Sequence, residues 1–327
     1  MEPIRIELPT GLDVGGVNVY LFKQPEPVLI DAGVKSEESW EALQFGLAEH
    51  NLTVMDLSRV IITHPHIDHF GGAGMIQAHS DADVWVCELG KPWLTATHDM
   101  WAKRLRYYKQ EFLIRVGLDE MEANIILAGM KAVAQKSEAV NAERLHTFAK
   151  DGTLQLGGMA WQVIHTPGHN SAMTCFYQPD TKMLLSADQL LKTTPTPVVE
   201  RPLPSAKRTP SLPQFMASMN HIAALDIEAV YPGHGRPFGT KYGLDHHIII
   251  NKQYSRIHSR KADCLTHIQA GCHVPAQLVD KMYAHHPLQF RFAGLWMLIG
   301  YLDLLLANGD IRQETVDGVW HFYATEN

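Results

Sequence analysis

The sequence predicts an α/β fold, and three observations lead to this prediction. Short apolar runs alternate with helical patterns over the first 90 residues, which is the order expected of strands and helices that build an open sheet. A second group of short apolar runs follows between residues 154 and 186. The 327 residues are 46% hydrophobic and 19% charged, a composition that is typical of globular proteins and excludes a disordered chain.

The N-terminal region predicts strands separated by helices. A helix is expected after Gly33, where Trp40, Leu43 and Leu47 lie at helical spacing. Another helix is expected to begin at Gly71. The strands of this region are predicted at 17–22, 28–31, 60–62 and 84–87, and a Pro-bearing turn at 23–27 joins the first two.

A helical insert is predicted from about residue 93 to residue 150. One face of its first helix carries residues at positions i, i+4, i+7 and i+11, namely Trp101, Leu105, Tyr108 and Phe112. Gly117 predicts the end of that helix. Asp119 and Glu122 have the spacing of a capping box, which predicts a second helix from Glu120 to about Val140.

The strands resume after the insert. They are predicted at 154–156, 161–165, 174–177, 183–186 and 229–231. A proline-dense loop over Pro195–Pro213 and a helix over 212–225 precede the last of these strands.

The C-terminal region predicts three helices and a hairpin. The helices are expected from after Gly239 to about Ala270, over Pro275–Tyr283 and from about Phe290 to Ala307. Asp317-Gly318 predicts the turn of the hairpin over Ile311–Tyr323. This order is winged-helix-like. We therefore expect a catalytic domain over residues 1–240, which includes the insert at 93–150, and a C-terminal helical, winged-helix-like domain over 241–327.

Charge, cysteine and hydropathy patterns exclude several classes of protein. Lys and Arg number 28 against 35 Asp and Glu, a net charge of -7 that does not suit a dedicated nucleic-acid-binding protein. The 4 cysteines are widely spaced, which argues against a disulfide scaffold and fits a reducing cytoplasm. No signal peptide and no membrane span are expected, because the most apolar stretch, Ala293–Ala307, is short and contains Asp303. A cytoplasmic location is therefore predicted.

Histidine is unusually abundant, with 19 residues, and the pattern that matters lies directly after the strand predicted at 60–62. Four potential metal ligands fall within six positions there, His64, His66, Asp68 and His69. His64 and His66 can converge on one ion, while Asp68 and His69 can serve a second. The glycines that follow at positions 71 and 72 allow a close backbone approach.

Three further candidates follow other predicted strands. His169 and His234 each come directly after a Pro-Gly turn, and Asp188 comes directly after an apolar strand. Each of these positions alone is common in proteins, since a turn histidine or a strand-end aspartate needs no ligand. Their joint occurrence in this order is specific, and it predicts a metal site.

This set of residues resembles the metallo-β-lactamase superfamily of metallohydrolases. The HxHxDH signature is matched in full at His64–His69, and LIDAG at Leu29–Gly33 matches the early motif. The resemblance covers about residues 10–240. It implies a four-layer αβ/βα sandwich of two mixed sheets, with the site at one edge between them.

The resemblance also implies how the metal ligands are shared. One ion would bind His64, His66 and His169. The other ion would bind Asp68, His69 and His234, and Asp188 would be shared between the two ions. Two Zn²⁺ ions are expected because imidazole and carboxylate suit zinc, although iron or manganese would also fit.

A pair of neighbouring metal ions, which this ligand set implies, is expected to hydrolyse the substrate by means of a hydroxide that bridges the two ions. Asp68 is expected to be catalytic as well as a ligand, because it would orient this hydroxide. The predicted substrate is a small acyl molecule in which a thioester, ester or lactone bond is cleaved. No serine or cysteine nucleophile is required.

Two alternatives remain open. The C-terminal region resembles that of the β-lactamase-like protein 2 and glyoxalase II subgroup, and its winged-helix-like order raises the alternative of a metal-dependent ribonuclease or phosphodiesterase. Residues 241–327 contain equal numbers of basic and acidic side chains, however, so nucleic acid is not the expected partner, and a homodimer interface or packing on the core fits better. An iron-dependent sulfur dioxygenase shares part of the ligand set, but Asp68, His69 and His234 together favour two metals.

The insert is a candidate substrate lid. Its aromatic residues could form an acyl pocket or part of the core, and they are Trp93, Trp101, Tyr107, Tyr108 and Phe112. Its clustered basic residues could meet an anionic group of the substrate or belong to a solvated helix face, and they are Lys103, Arg104, Arg106 and Lys109.

Overall fold

Two mixed β-sheets form the centre of the computed structural model, which describes residues 2–192, 209–285 and 288–325. Positions 195–208 of the loop predicted over Pro195–Pro213 lie outside the described residues. No helix within the described residues combines the length and the apolar character needed to cross a bilayer.

The first sheet is built from the N-terminal half of the chain. Its strands, in spatial order, are β1 (Ile4–Leu8), β2 (Val17–Phe22), β3 (Val28–Ile30), β4 (Arg59–Ile62), β5 (Asp83–Cys87) and β6 (Leu145–Phe148). β1, β2 and β3 pair antiparallel, and β3 to β6 pair parallel. The carboxyl end of β4, which leads to His64, therefore lies at the same sheet edge as the ends of β3 and β5.

The second sheet follows in the chain and has mostly antiparallel pairing. Its strands are β7 (Thr153–Leu156), β8 (Met159–His165), β9 (Thr174–Gln178), β10 (Met183–Ala187) and β11 (Ala229–Pro232), in the spatial order β11-β10-β9-β8-β7. β10 and β11 are parallel, and β9 is antiparallel to both β8 and β10. The carboxyl ends of β8, β10 and β11 therefore point to one edge of this sheet.

The two sheets pack face to face. Side chains alternate between the two faces of a strand, so Tyr20 and Phe22 of β2 join the core between the sheets, while Val19 and Leu21 face the other way. From the second sheet, Trp161 enters the same central core and contacts Phe22 edge to face, with ring centroids 5.7 Å apart. This confirms the predicted sandwich.

Helices cover the outer faces and complete the four layers. The helices before the second sheet are α1 (Glu37–Ala48), α2 (Ile67–Phe70), α3 (Ala73–Ala78), α4 (Lys91–Thr95), α5 (Thr97–Tyr107), α6 (Leu113–Arg115) and α7 (Glu120–Ala134). Those after it are α8 (Ser211–Ala223), α9 (His246–Gln269), α10 (Pro275–Met282) and α11 (Leu288–Asn308). Leu43 of α1 packs on the first sheet, and Ile222 of α8 packs on the second.

The predicted helical insert is shorter than expected. α7 begins at the predicted capping box, in which Asp119 accepts a hydrogen bond from the Glu122 amide, but it ends at Ala134 and not near Val140. Within the predicted 93–150 segment, Leu145–Phe148 forms edge strand β6 and pairs with β5. β1 was also not predicted. Both are short edge strands with two polar residues each, so their apolar signal is weak.

The C-terminal region forms the predicted three helices and a hairpin of β12 (Ile311–Val316) and β13 (Val319–Ala324). Asp317 and Gly318 have φ of 49° and 84°, which matches the left-handed conformation that such a two-residue turn requires. The helices and hairpin share one hydrophobic cluster with the insert. In that cluster Phe112 stacks on Trp296, with ring centroids 5.4 Å apart. Tyr107, Tyr108 and Phe112 therefore contribute to a core that joins the insert to the C-terminal helices.

Candidate metal centre

All seven predicted ligands lie at the carboxyl ends of strands, where the two sheets meet. His64 follows β4, and the short helix α2 carries Asp68 and His69. His169 follows β8, Asp188 follows β10 and His234 follows β11. Positions that are 170 residues apart in the chain are thus brought to one edge of the sandwich by the strand order alone.

Glycines make the sharp turn around α2 possible. A Cβ at Gly71 would lie 2.4 Å from the carbonyl oxygens of Ile67 and Lys136. A Cβ at Gly72 would lie 2.4 Å from the Ala32 oxygen. Because real side chains do not approach backbone this closely, only glycine fits at either position, and the chain can fold back tightly behind Asp68 and His69.

One group of three histidines converges on a single point. His64, His66 and His169 each offer a ligand atom, and these atoms all lie within 4.8 Å of one another. His66 Nδ1 and His169 Nε2 are 2.8 Å apart. His64 is fully buried and His169 nearly so. Three imidazoles in this arrangement could hold one divalent ion.

A second group lies beside the first. Asp68, His69 and His234 also have ligand atoms within 4.8 Å of one another. Asp68 Oδ2 is 3.2 Å from His234 Nε2 and 3.8 Å from His69 Nε2. This group could hold a second ion.

Asp188 lies between the two groups. Its Oδ1 is 3.3 Å from His69 Nε2, and its Oδ2 is 3.4 Å from His169 Nε2 and 3.5 Å from His234 Nε2. One carboxylate therefore contacts a histidine of the first group and two of the second, which is the position that a shared ligand requires. Gly233 permits this approach, because a Cβ there would lie 2.2 Å from Asp188 Oδ1.

Hydrogen bonds on the outer side of the cluster fix the histidine rings. His69 Nδ1 donates to Asp31 Oδ2 at 2.7 Å, and His234 Nδ1 donates to the Gly16 carbonyl at 2.8 Å. The Thr63 hydroxyl donates to Asp31 at 2.9 Å, and its oxygen lies 3.0 Å from His64 Nδ1, which can donate to it. In all three rings Nδ1 is thus engaged, and Nε2 is directed at the cluster.

Four buried polar atoms of the cluster have no hydrogen-bond partner in the described part of the chain. Among the described residues, the Nε2 atoms of His64, His69 and His234 and Oδ1 of Asp188 are buried without a hydrogen-bond partner. His69 Nε2 and Asp188 Oδ1 are close, but they do not have the geometry of a hydrogen bond. Buried polar atoms are costly when unpaired, so their convergence fits divalent cations bound at this place.

The charges of the cluster shift its pKa values in opposite directions. Burial, together with the neighbouring histidines, holds the pKa of His64 well below its ordinary value. Burial also opposes the charge on His69 and His234, but Asp188 and the other carboxylates outweigh it. They raise the pKa of His69 well above its ordinary value and that of His234 to about 10. Although burial disfavours its charge, the pKa of Asp188 is lowered by His69 and His234.

Asp31 and Thr63 were not assigned a role from the sequence. Asp31 belongs to the LIDAG motif, yet its function depends on partners that only the fold brings together. A buried carboxylate at the end of an apolar strand was the available signal.

A separate group, Asp245, His246 and His247, lies at the start of α9, where Asp245 caps the helix by accepting a hydrogen bond from the His247 amide.

Comparisons with known proteins agree with this architecture. The chain is 26% identical to the probable metallo-hydrolase YqjP of Bacillus subtilis over 326 residues, which cover 98% of this chain and 95% of that protein. It is 24% identical over 229 residues to an atrochrysone carboxyl ACP thioesterase of Aspergillus fumigatus, covering 69% of this chain and 53% of that one. The crystal structure of a metallo-beta-lactamase family protein from Thermus thermophilus has the same fold, with a TM-score of 0.80 and 20% identity over 99% of this chain and 98% of that chain.

A family model described as the metallo-beta-lactamase superfamily matches residues 12–234, which include every candidate ligand. The chain therefore belongs to the metallo-beta-lactamase superfamily and is a metal-dependent hydrolase.

Proposed function

We propose that this protein is a dinuclear hydrolase that cleaves a thioester, ester or lactone bond in a small acyl substrate. The observation that carries the proposal is the convergence of seven ligands in two groups of three around Asp188, with the unpaired Nε2 atoms of three histidines directed at the same place. Loss of any one of these residues would leave an incomplete set for two ions.

His64, His66 and His169 would hold one ion, and Asp68, His69 and His234 would hold the other. Asp188 would contact both. Zinc is our first choice, because every proposed contact comes from an imidazole or carboxylate group of the kind that zinc prefers; iron and manganese accept the same ligands. When bound, a pair of such ions supplies a bridging hydroxide near neutral pH and polarises a carbonyl group.

The residues of the protein would contribute orientation and proton handling. Asp68 is mostly buried at 8% exposure, and its Oδ2 contacts His234 Nε2. A carboxylate held in this way can accept a hydrogen bond from the attacking water and later pass a proton to the leaving group. Asp31 and Thr63 would keep the rings of His69 and His64 aligned during the reaction.

Two observations support an acyl substrate. One of the relatives described above is named a thioesterase, and it matches more than two thirds of this chain. The C-terminal region, by contrast, has eight basic and eight acidic residues over 241–327, and a module without net positive charge is poorly equipped to bind nucleic acid. The glyoxalase II-like subgroup stays a prediction from resemblance.

The test is turnover of a substrate panel by the purified protein and two variants. The panel contains a thioester, a carboxylic ester, a lactone and a short RNA. We expect acyl turnover that Asp188→Asn abolishes while the circular dichroism spectrum is unchanged. Asp226→Asn is the matched control, because Asp226 is an exposed aspartate paired with Lys182 on the surface, and it should retain full activity.

RNA cleavage without acyl turnover would contradict the acyl proposal and favour the phosphodiesterase alternative. Full activity of Asp188→Asn would contradict the two-ion site itself. Oxygen uptake with a small sulfur compound, measured alongside the panel, together with no hydrolysis of any panel member would contradict both and favour the dioxygenase alternative.

A further inference from the structure

The loop that carries His234 is attached to the opposite sheet by buried hydrogen bonds. The Asn18 side-chain amide donates to the carbonyl of Pro232 at 2.8 Å and to that of Gly235 at 2.7 Å. The Asn18 backbone amide donates to the Gly233 carbonyl at 2.7 Å. The Tyr20 hydroxyl donates to the Pro232 carbonyl at 2.7 Å. Both side chains lie on β2, which belongs to the first sheet, whereas His234 follows β11 of the second.

These contacts surround His234 on both sides. Pro232 and Gly233 precede it, Gly235 follows it, and all three carbonyls face β2. The ring of His234 is held by the same part of the chain, because its Nδ1 donates to the Gly16 carbonyl. The distances from His234 Nε2 to Asp68 and Asp188 therefore depend on how β2 holds the loop.

The orientation of the Asn18 amide is itself determined. Arg5 Nε donates to Asn18 Oδ1 at 2.7 Å, so the oxygen faces Arg5 and both hydrogens of the amide face the loop. Asn18 is 1% exposed and Tyr20 is 3% exposed. Truncation of Asn18 would remove the bond to the Gly235 carbonyl and leave the Pro232 carbonyl with the Tyr20 hydroxyl alone, so the loop would lose its two side-chain bonds from Asn18.

Asn18 and Tyr20 are bonded to the loop of only one of the two ligand groups. The bonds that the Asn18 and Tyr20 side chains donate to backbone carbonyls all end on the His234 loop, and none of them involves His64, His66 or His169. A change at β2 should thus act directly on the His234 group of ligands and on the other group only through the shared Asp188.

We propose that Asn18, assisted by Tyr20, is a positioning residue that sets the affinity of the His234-side ion separately from that of the other ion. The inference rests on the proposed function, since it requires a site for two ions. Asn18 acts on the ion only through the loop and the ring of His234. No other side chain of similar size supplies two donors to carbonyls three residues apart and an acceptor to Arg5.

The test is titration of the metal-free protein with Zn²⁺ against a competing chelator, with ions per chain counted by native mass spectrometry. For Asn18→Ala we expect one ion to bind as in the unmodified protein, and the other, which is the ion that His234→Ala also weakens, to bind about 10- to 100-fold more weakly. Tyr20→Phe is a milder variant, because Pro232 keeps its bond from Asn18, and it should weaken that ion by about 2- to 10-fold. Asn220→Ala, an asparagine replacement at an exposed position bonded to Tyr254, should change neither ion.

A second variant, His234→Ala, distinguishes an effect on the position of the loop from a general destabilisation of the fold. His234→Ala removes the ligand itself, so Asn18→Ala added to it should cause no further change in metal affinity. The inference would be overturned if Asn18→Ala weakened metal binding further in the His234→Ala protein. It would also be overturned if Asn18→Ala weakened both ions equally, or if Tyr20→Phe left both affinities unchanged. If the unmodified protein binds only one ion, the failure lies instead in the proposed two-ion site.

Discussion

His69 donates a hydrogen bond from Nδ1 to Oδ2 of Asp31 at 2.7 Å, and both side chains are buried. The same carboxylate accepts bonds from the amide and the hydroxyl of Thr63, whose oxygen contacts His64 Nδ1. One aspartate thus orients a histidine in each of the two ligand groups. The φ of Asp31 is 63°, a left-handed conformation that non-glycine residues seldom adopt, which shows that the surrounding contacts hold it in place.

Replacement of Asp31 by asparagine should weaken metal binding. Asparagine keeps the size of the side chain but cannot accept from three donors with the strength of a carboxylate, so we expect about 10- to 100-fold lower affinity for metal. Metal affinity measured by chelator competition checks this. Asp83→Asn is the matched control, because Asp83 lies 3.3 Å from His146 in a partly exposed pair away from the site. Equal affinities in the Asp31 variant and the unmodified protein would show that the network has no role in binding.

Replacement of Gly233 by alanine should disrupt the site. The added Cβ would lie 2.2 Å from Asp188 Oδ1 and 2.9 Å from His69 Cε1, so Asp188 must move away from its shared position. We expect hydrolysis to be lost and the free energy of unfolding to fall by about 1–3 kcal/mol. Gly129→Ala tests the effect of the methyl group alone, because a Cβ in the middle of α7 meets nothing within 4 Å. That variant should be as stable as the unmodified protein or more so. An active Gly233→Ala protein would mean that Asp188 is not needed where the structure places it.

Metal binding should release protons at neutral pH. Asp188 and the other carboxylates raise the pKa of His69 well above its ordinary value and that of His234 to about 10, so both rings are protonated at pH 7 when no metal is bound. A metal ion requires neutral imidazole, and His64 is already neutral because its pKa is lowered. We therefore expect these two rings to release about two protons per chain at pH 7, besides the proton that leaves the bridging water, and an apparent affinity that rises with pH. Titration in weakly buffered solution measures the release, and binding without any change in pH would contradict the assignment.

Replacement of Phe112 by alanine should destabilise the insert and the C-terminal region together. Phe112 is 1% exposed and contacts Tyr108, Trp296 and Trp320, with ring centroids 5.1, 5.4 and 6.1 Å away. Loss of its ring should lower the free energy of unfolding by about 3–5 kcal/mol. Ile114→Ala, at a position that is 52% exposed, should change it by less than about 0.5 kcal/mol. Urea unfolding checks both variants. An equal, small effect of the two would mean that the shared cluster does not join the regions energetically.

Much of the fold was predictable because its signals are local. The strands predicted at 17–22, 60–62 and 183–186 are mostly apolar runs, and the Asp317-Gly318 turn is specified by two adjacent residues. The edge strand Leu145–Phe148 was missed because four residues with two polar side chains give little pattern. The end of α7 at Ala134 was missed for a related reason, since the residues that follow retain helical composition.

The candidate site was predictable to a similar extent. His64, His66, Asp68 and His69 lie within one short segment, so their chemistry is visible in the sequence. Asn18 and Asp31 carry no such signal, because each is a single polar residue in or after an apolar strand. Asn18 bonds to residues 214 and 217 positions away, and Asp31 bonds to His69 at a distance of 38 positions. Only the packing of the two sheets reveals what these side chains hold.

The central claim is that the seven residues around Asp188 hold two ions that act together in hydrolysis. Elemental analysis of metal per chain, on protein purified without added metal and assayed in parallel with a small thioester, tests it most directly. The account predicts two ions per chain with thioester turnover, and loss of both the second ion and the turnover in Asp188→Asn. A single iron per chain without hydrolysis, with the same content in Asp188→Asn, would contradict it.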